Sequence, residues 1–116
     1  DVSFISLKKI LPAALACLKA GGEAMALVKP QFEAGKGEVG KKGVITNPKV
    51  HRKVLEDILA YATNELGFSV LGLASSPLLG QKGNREFLLY LKHDGLGVNQ
   101  IDERDLKALL EPEQQA

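Results

Sequence analysis

The sequence predicts an α/β fold of three layers, with a mostly parallel sheet and an antiparallel final strand. Three observations carry this. Short apolar runs of strand length alternate with longer stretches whose apolar residues recur at helical spacing, the order that builds parallel sheets. The last two strand-like runs are joined by a turn-rich loop with no helical stretch between them, which favours an antiparallel pair. Glycine or proline punctuates the junctions, so the elements have marked ends.

The elements follow in order. Residues 1–7 read as the end of a strand running into a turn. Leu7, Ile10, Leu11, Ala14, Leu15 and Leu18 recur at helical spacing, so residues 7–20 are expected to be a helix closed by Gly21 and Gly22. Pro12 is a breaker inside it, and the regular helix is expected to begin near that proline. Residues 24–28 form an apolar run too short for a helix, and Pro30 ends it because proline lacks an N–H. A glycine-rich loop occupies residues 30–46. Asn47 and Pro48 supply an N-cap and a first-turn proline. From there Val50, Val54, Leu55, Ile58, Leu59, Ala62 and Leu66 make one stripe of a helix that Gly67 closes. Residues 68–73 and 86–92 read as strands, with a loop at 74–85. Residues 102–110 read as a short, largely polar helix. Residues 1–95 are taken as one unit and 96–116 as a terminal helix and tail.

A chain of 116 residues is one domain or a piece of one. Fifteen basic residues against fourteen acidic ones leave a formal charge of +1, so bulk charge selects no partner. There is no membrane-spanning run or signal peptide. The first residue is Asp1 rather than Met, and the start is expected to be a cut within a longer protein. One cysteine excludes an internal disulfide and suits a reducing, cytoplasmic setting.

The stretch around residues 24–42 carries the chemistry. In open α/β sheets ligands bind beyond the carboxyl ends of strands, and Lys29 stands at such an end. A strand-end lysine reaching for water is the plain alternative. Residues 35–40 fit G-x-G-x-x-G, but no helix opens at Gly40, so a nucleotide phosphate loop is set aside. Lys36, Lys41, Lys42 and Arg52, with Lys82 and Arg85 from the later loop, make a locally basic region suited to a phosphate backbone. A solvated helix face and loop would look the same. Cys17 is expected to be a small core residue. His51 and His93 lack ligand spacing, and no metal site is readable.

Four segments narrow the class: Asp1-Val-Ser-Phe-Ile-Ser-Leu7, Leu27-Val-Lys-Pro-Gln-Phe-Glu33, Gly40-x-x-Gly43-Val, and Gly83-Asn-Arg-Glu86-Phe-Leu-Leu. In this order they resemble the second half of the TlyA family, whose FtsJ-like domains are RNA 2′-O-methyltransferases and which is often named haemolysin. The resemblance implies the carboxyl-terminal half of a three-layer Rossmann-like methyltransferase fold, with the strand at 86–92 in the middle of the three clear strands, 24–28 at one edge and 68–73 at the other. It implies transfer of a methyl group from S-adenosylmethionine to ribose 2′-hydroxyls of ribosomal RNA. FtsJ-like enzymes use a lysine, aspartate, lysine and glutamate. By resemblance Asp1 matches the aspartate, Lys29 the second lysine and Glu86 the glutamate, while Phe4 matches an aromatic that packs near donor or substrate. The first lysine, the glycine-rich donor loop and the family's RNA-binding module have no counterpart here. The chain alone is therefore expected to be inactive, to bind the donor negligibly, and to self-associate through the cut edge at residues 24–28.

The residues agree with that placement. Lys29 ends one strand, Glu86 opens an antiparallel one and Asp1 ends another, so all three reach the same sheet edge. A ribose hydroxyl is a weak nucleophile until a base removes its proton. A lysine does this where burial or other cations lower its pKa, and carboxylates orient it. Two alternatives stand beside this reading: a non-catalytic RNA-binding or assembly module, and a haemolysin. No amphipathic or spanning segment of suitable length supports the latter.

Overall fold

A computed structural model describes residues 7–34, 45, 47–76 and 84–110. The elements run α1 (Leu7–Cys17), β1 (Glu23–Val28), α2 (Pro30–Glu33), α3 (Pro48–Ala60), a π-helical turn (Tyr61–Glu65), β2 (Ser69–Ser75), β3 (Phe87–Lys92) and α4 (Glu103–Leu110). The sheet order is β1-β3-β2, as the resemblance implies. Both ladders in the described sheet are antiparallel, because β3 lies between β1 and β2 and runs against each. β1 and β2 therefore point the same way without touching. The mostly parallel sheet expected from the sequence is not seen among the described residues, where β1 is an edge strand.

Register sorts the side chains. Val28, Ala26 and Ala24 of β1 share a face with Phe87, Leu89 and Leu91 of β3. That face meets Leu11 of α1, Val54, Leu55, Ile58 and Leu59 of α3, and Leu106 and Leu110 of α4 in one core. The other face carries Met25, Leu27, Leu88, Tyr90, Gly72 and Ala74. Met25 is 62 % exposed, and no described element covers that face. The described residues thus form two layers, not three.

Several boundaries differ from the sequence reading for clear local reasons. α1 starts at Leu7, five residues ahead of Pro12, and continues through it. Proline has no N–H to give the Lys8 carbonyl, and the Tyr61 hydroxyl donates to that oxygen instead at 3.1 Å. Lys8 Nζ meets Asp57 Oδ2 at 3.0 Å, docking α1 on α3. Cys17 is exposed, because the buried face of α1 is the one bearing Leu11. Pro30, expected to begin a loop, opens the single turn α2 as its first residue. α3 begins as predicted, with Asn47 Oδ1 accepting from the Lys49 N–H at 2.9 Å.

The terminal helix is less separate than its composition suggests. Asp102 Oδ1 accepts from the Asp105 N–H at 2.9 Å, and Asp105 Oδ2 from the Asp102 N–H at 3.1 Å, a reciprocal cap. Leu106 and Leu110 enter the main core. Before α4, the chain crosses the π turn at Gly97. A Cβ there would stand 2.6 Å from the Thr63 carbonyl oxygen, and the residue has φ +65°, so glycine is required twice over. Beyond it, the Val98 carbonyl accepts from the Val70 N–H at 2.8 Å and the Gln100 N–H donates to the Val70 carbonyl at 3.1 Å, covering the outer edge of β2.

Candidate active site

The carboxyl end of β1 and the amino end of β3 meet at one sheet edge. Val28 and Phe87 are the last paired residues, and both are fully buried. One step beyond that pair stand Lys29 on one strand and Glu86 on the other. Lys29 is half-buried and serves as the residue before α2. Its Nζ lies 5.2 Å from the Phe32 ring centroid, a cation–π contact across one helical turn. Glu86 is only 6 % exposed. Its carboxylate accepts a hydrogen bond from Gln31 Nε2 at 2.9 Å, and its carbonyl accepts from the Ser76 N–H at 2.8 Å. The single turn of α2 therefore brings the lysine and a partner of the glutamate together.

A buried clamp supports this edge from below. Asn84 Oδ1 accepts from the Ile45 N–H at 2.9 Å, and His51 Nε2 lies 3.2 Å from the Ile45 carbonyl. The His51 ring meets Phe87 edge-on at 5.8 Å. Ile45 and Asn84, distant in sequence, are thereby tied to each other, and His51 ties Ile45 to α3 and to β3. Burial lowers the His51 pKa; the hydrogen bond to Ile45 opposes this, and the Arg85 charge adds to it.

Of the residues singled out by sequence, the structure brings Lys29 and Glu86 to one edge. Asp1, Phe4, Lys36, Lys41, Lys42 and Lys82 lie outside the described residues. Arg52 pairs with Glu56 at 3.3 Å and with Glu103, and these carboxylates raise its pKa further. Arg85 donates to Ser75 Oγ at 2.8 Å and to the Leu109 carbonyl, and stacks 5.2 Å from the Phe87 ring centroid. Both arginines thus have intramolecular partners. Gln31, Asn84 and His51 escaped the sequence reading as site residues. Gln31 and Asn84 sit inside the quoted segments, so their position beside Lys29 and Glu86 was the available signal.

Among the described residues, no group of three His, Cys, Asp or Glu could hold a metal ion, and no helix is long and apolar enough to cross a membrane. Phe4, the residue that the resemblance places near S-adenosylmethionine, lies outside the described residues, and none of these is assigned to the donor.

The chain is similar to known proteins over most of its length. The profile of FtsJ-like methyltransferases matches residues 1–93. YqxC of Bacillus subtilis, provisionally named an rRNA methyltransferase, is 46% identical over 113 residues, covering 96% of this chain and 40% of its own length. The 16S/23S rRNA (cytidine-2′-O)-methyltransferase TlyA of Mycobacterium tuberculosis is 45% identical over 93 residues, covering 79% of this chain and 34% of its own. A crystal structure from Lactococcus lactis, provisionally named a hemolysin, superposes with a TM-score of 0.86 at 47% identity, over 96% of this chain and 52% of that one. The chain spans about two fifths of the length of the first of these curated relatives.

Proposed function

The chain belongs to the FtsJ-like methyltransferase family, and from that membership we propose that the protein carrying it transfers a methyl group from S-adenosylmethionine to a ribose 2′-hydroxyl of ribosomal RNA. The observation that best supports this is the register at the sheet edge. Val28 and Phe87 form the last pair, so Lys29 and Glu86 flank one spot beyond it. Lys29 takes the proton of the 2′-hydroxyl, and Glu86 orients the lysine. Asp1 completes the cluster in the whole protein. S-adenosylmethionine supplies the methyl group when bound, and its site is contributed by sequence outside the described residues, with Phe4 near it. The reaction needs little from the protein beyond alignment and a base, and alignment alone accounts for a large share of the rate.

RNA contact through Lys36, Lys41, Lys42 and Lys82 is part of this reading. Arg52 and Arg85 contribute only as far as their carboxylate and carbonyl partners release them. A cytoplasmic location follows from the ribosomal substrate. The open sheet face and the edge position of β1 support further strands, parallel to β1, and a third layer supplied by the rest of the protein. The chain alone is then inactive. The test is Lys29→Ala in the full-length protein: methylation of ribosomal RNA is lost while circular dichroism and melting are unchanged. Methylation near the wild-type rate would exclude Lys29 as the base.

A further inference from the structure

We propose that Gln31 is the positioning residue of the site, holding the Glu86 carboxylate in the orientation that serves Lys29; this rests on the reading of Lys29 and Glu86 above. Glu86 is nearly buried, and a buried carboxylate needs a donor. Gln31 Nε2, at 2.9 Å, is the one side-chain donor that the described residues give it. The contact matters because the last torsion of a glutamate side chain is soft and has no sharp rotamer. Without a fixed donor the carboxylate plane is free to turn, even with the strand held rigidly.

The remaining half of the Gln31 amide indicates that the contact serves this orientation. A carboxylate only accepts hydrogen bonds, so the NH₂ end of the amide must face Glu86. This leaves Gln31 Oε1 buried and without a partner, the only such side-chain atom found among the described residues. An unpaired buried acceptor lowers stability, so the position keeps a glutamine for the donor it turns toward Glu86 and not for its oxygen. Pro30 opens α2 directly after Lys29, so the base and the residue aligning its partner stand two positions apart on one turn. A displacement of the end of β1 moves them together and keeps the pair in step.

The experiment uses the full-length protein, with ribosomal RNA and S-adenosylmethionine as substrates. Gln31→Met removes the donor at nearly constant size. It is expected to lower kcat about ten-fold or more, the loss of a hydrogen bond to a charged group, with KM for RNA unchanged. Combined with Glu86→Gln it is expected to add less than about two-fold, because it acts through that carboxylate. The reciprocal swap, Gln31→Glu with Glu86→Gln, rebuilds a hydrogen bond between the two positions with donor and acceptor exchanged. It is expected to melt like the wild type yet stay as inactive as Glu86→Gln alone. Wild-type kcat in Gln31→Met, or a swap that restores methylation, would overturn the proposal while leaving the methyltransferase reading intact. If Gln31→Met does not fold, Gln31→Leu is measured in its place, with the same loss of kcat expected and wild-type kcat overturning the proposal. A wild-type protein that methylates no RNA overturns both.

Discussion

Ile45 is held by both of its backbone groups, its N–H by Asn84 and its carbonyl by His51. Single side chains thus anchor Ile45 ahead of α3. His51 is the more telling of the two, since burial lowers its pKa below the ordinary 6.5 and Arg85 is the charged group facing it. The folded protein then holds this imidazole neutral at pH values where the unfolded chain begins to protonate it. The stabilisation is complete above pH 6.5 and is lost as pH falls from there toward the lowered folded value. Thermal melts between neutral pH and pH 5 are expected to show Tm falling, and His51→Asn to flatten that slope. An unchanged slope in the variant would exclude His51 as its source.

Two elements depart from their propensities because another element supplies what is missing. Helix α1 runs through Pro12, and the carbonyl that proline leaves without its helical donor is met by Tyr61 at the head of the π turn. Tyr61→Phe removes that hydroxyl and is expected to lower stability by about 0.5–1.5 kcal/mol, read by urea unfolding of the full-length protein. A cost near zero would mean that the Lys8 carbonyl is satisfied without Tyr61. The turn α2 is too short to persist by itself. Its buried Pro30 and the Gln31–Glu86 hydrogen bond hold it, which is why a stretch that reads as loop is helical.

At the scale of the molecule, one sheet face is packed and the other is open. The open side includes Met25 and Leu27 beside Leu88 and Tyr90, and β1 has no neighbour on its outer edge among the described residues. Exposed strand edges and apolar faces recruit other chains. The chain by itself is therefore expected to self-associate, with sedimentation giving a mass above that of one copy that falls when Met25 and Leu27 are changed to Lys. A monomer at micromolar concentration would refute this. Calorimetry on the same chain is expected to show negligible binding of S-adenosylmethionine, and tight binding would place a donor site within these residues.

The local signals in the sequence determined most of the element order, including the cap at Asn47 and the closure at Gly67. These depend on dihedral preference and on apolar periodicity, which neighbouring residues carry. The position of Lys29 and Glu86 at one sheet edge was legible for the same reason, since each stands at the end of a recognisable strand. Only the tertiary structure decided the partners. The Gln31 amide on Glu86, the Asn84 hold on Ile45, the Tyr61 hydroxyl on the Lys8 carbonyl and the Arg52 pair with Glu103 all join residues far apart in the chain. It also left Cys17 in solvent and one sheet face open. Which side of a helix or sheet is covered depends on what packs against it, and that is a property of the assembled core, not of the segment.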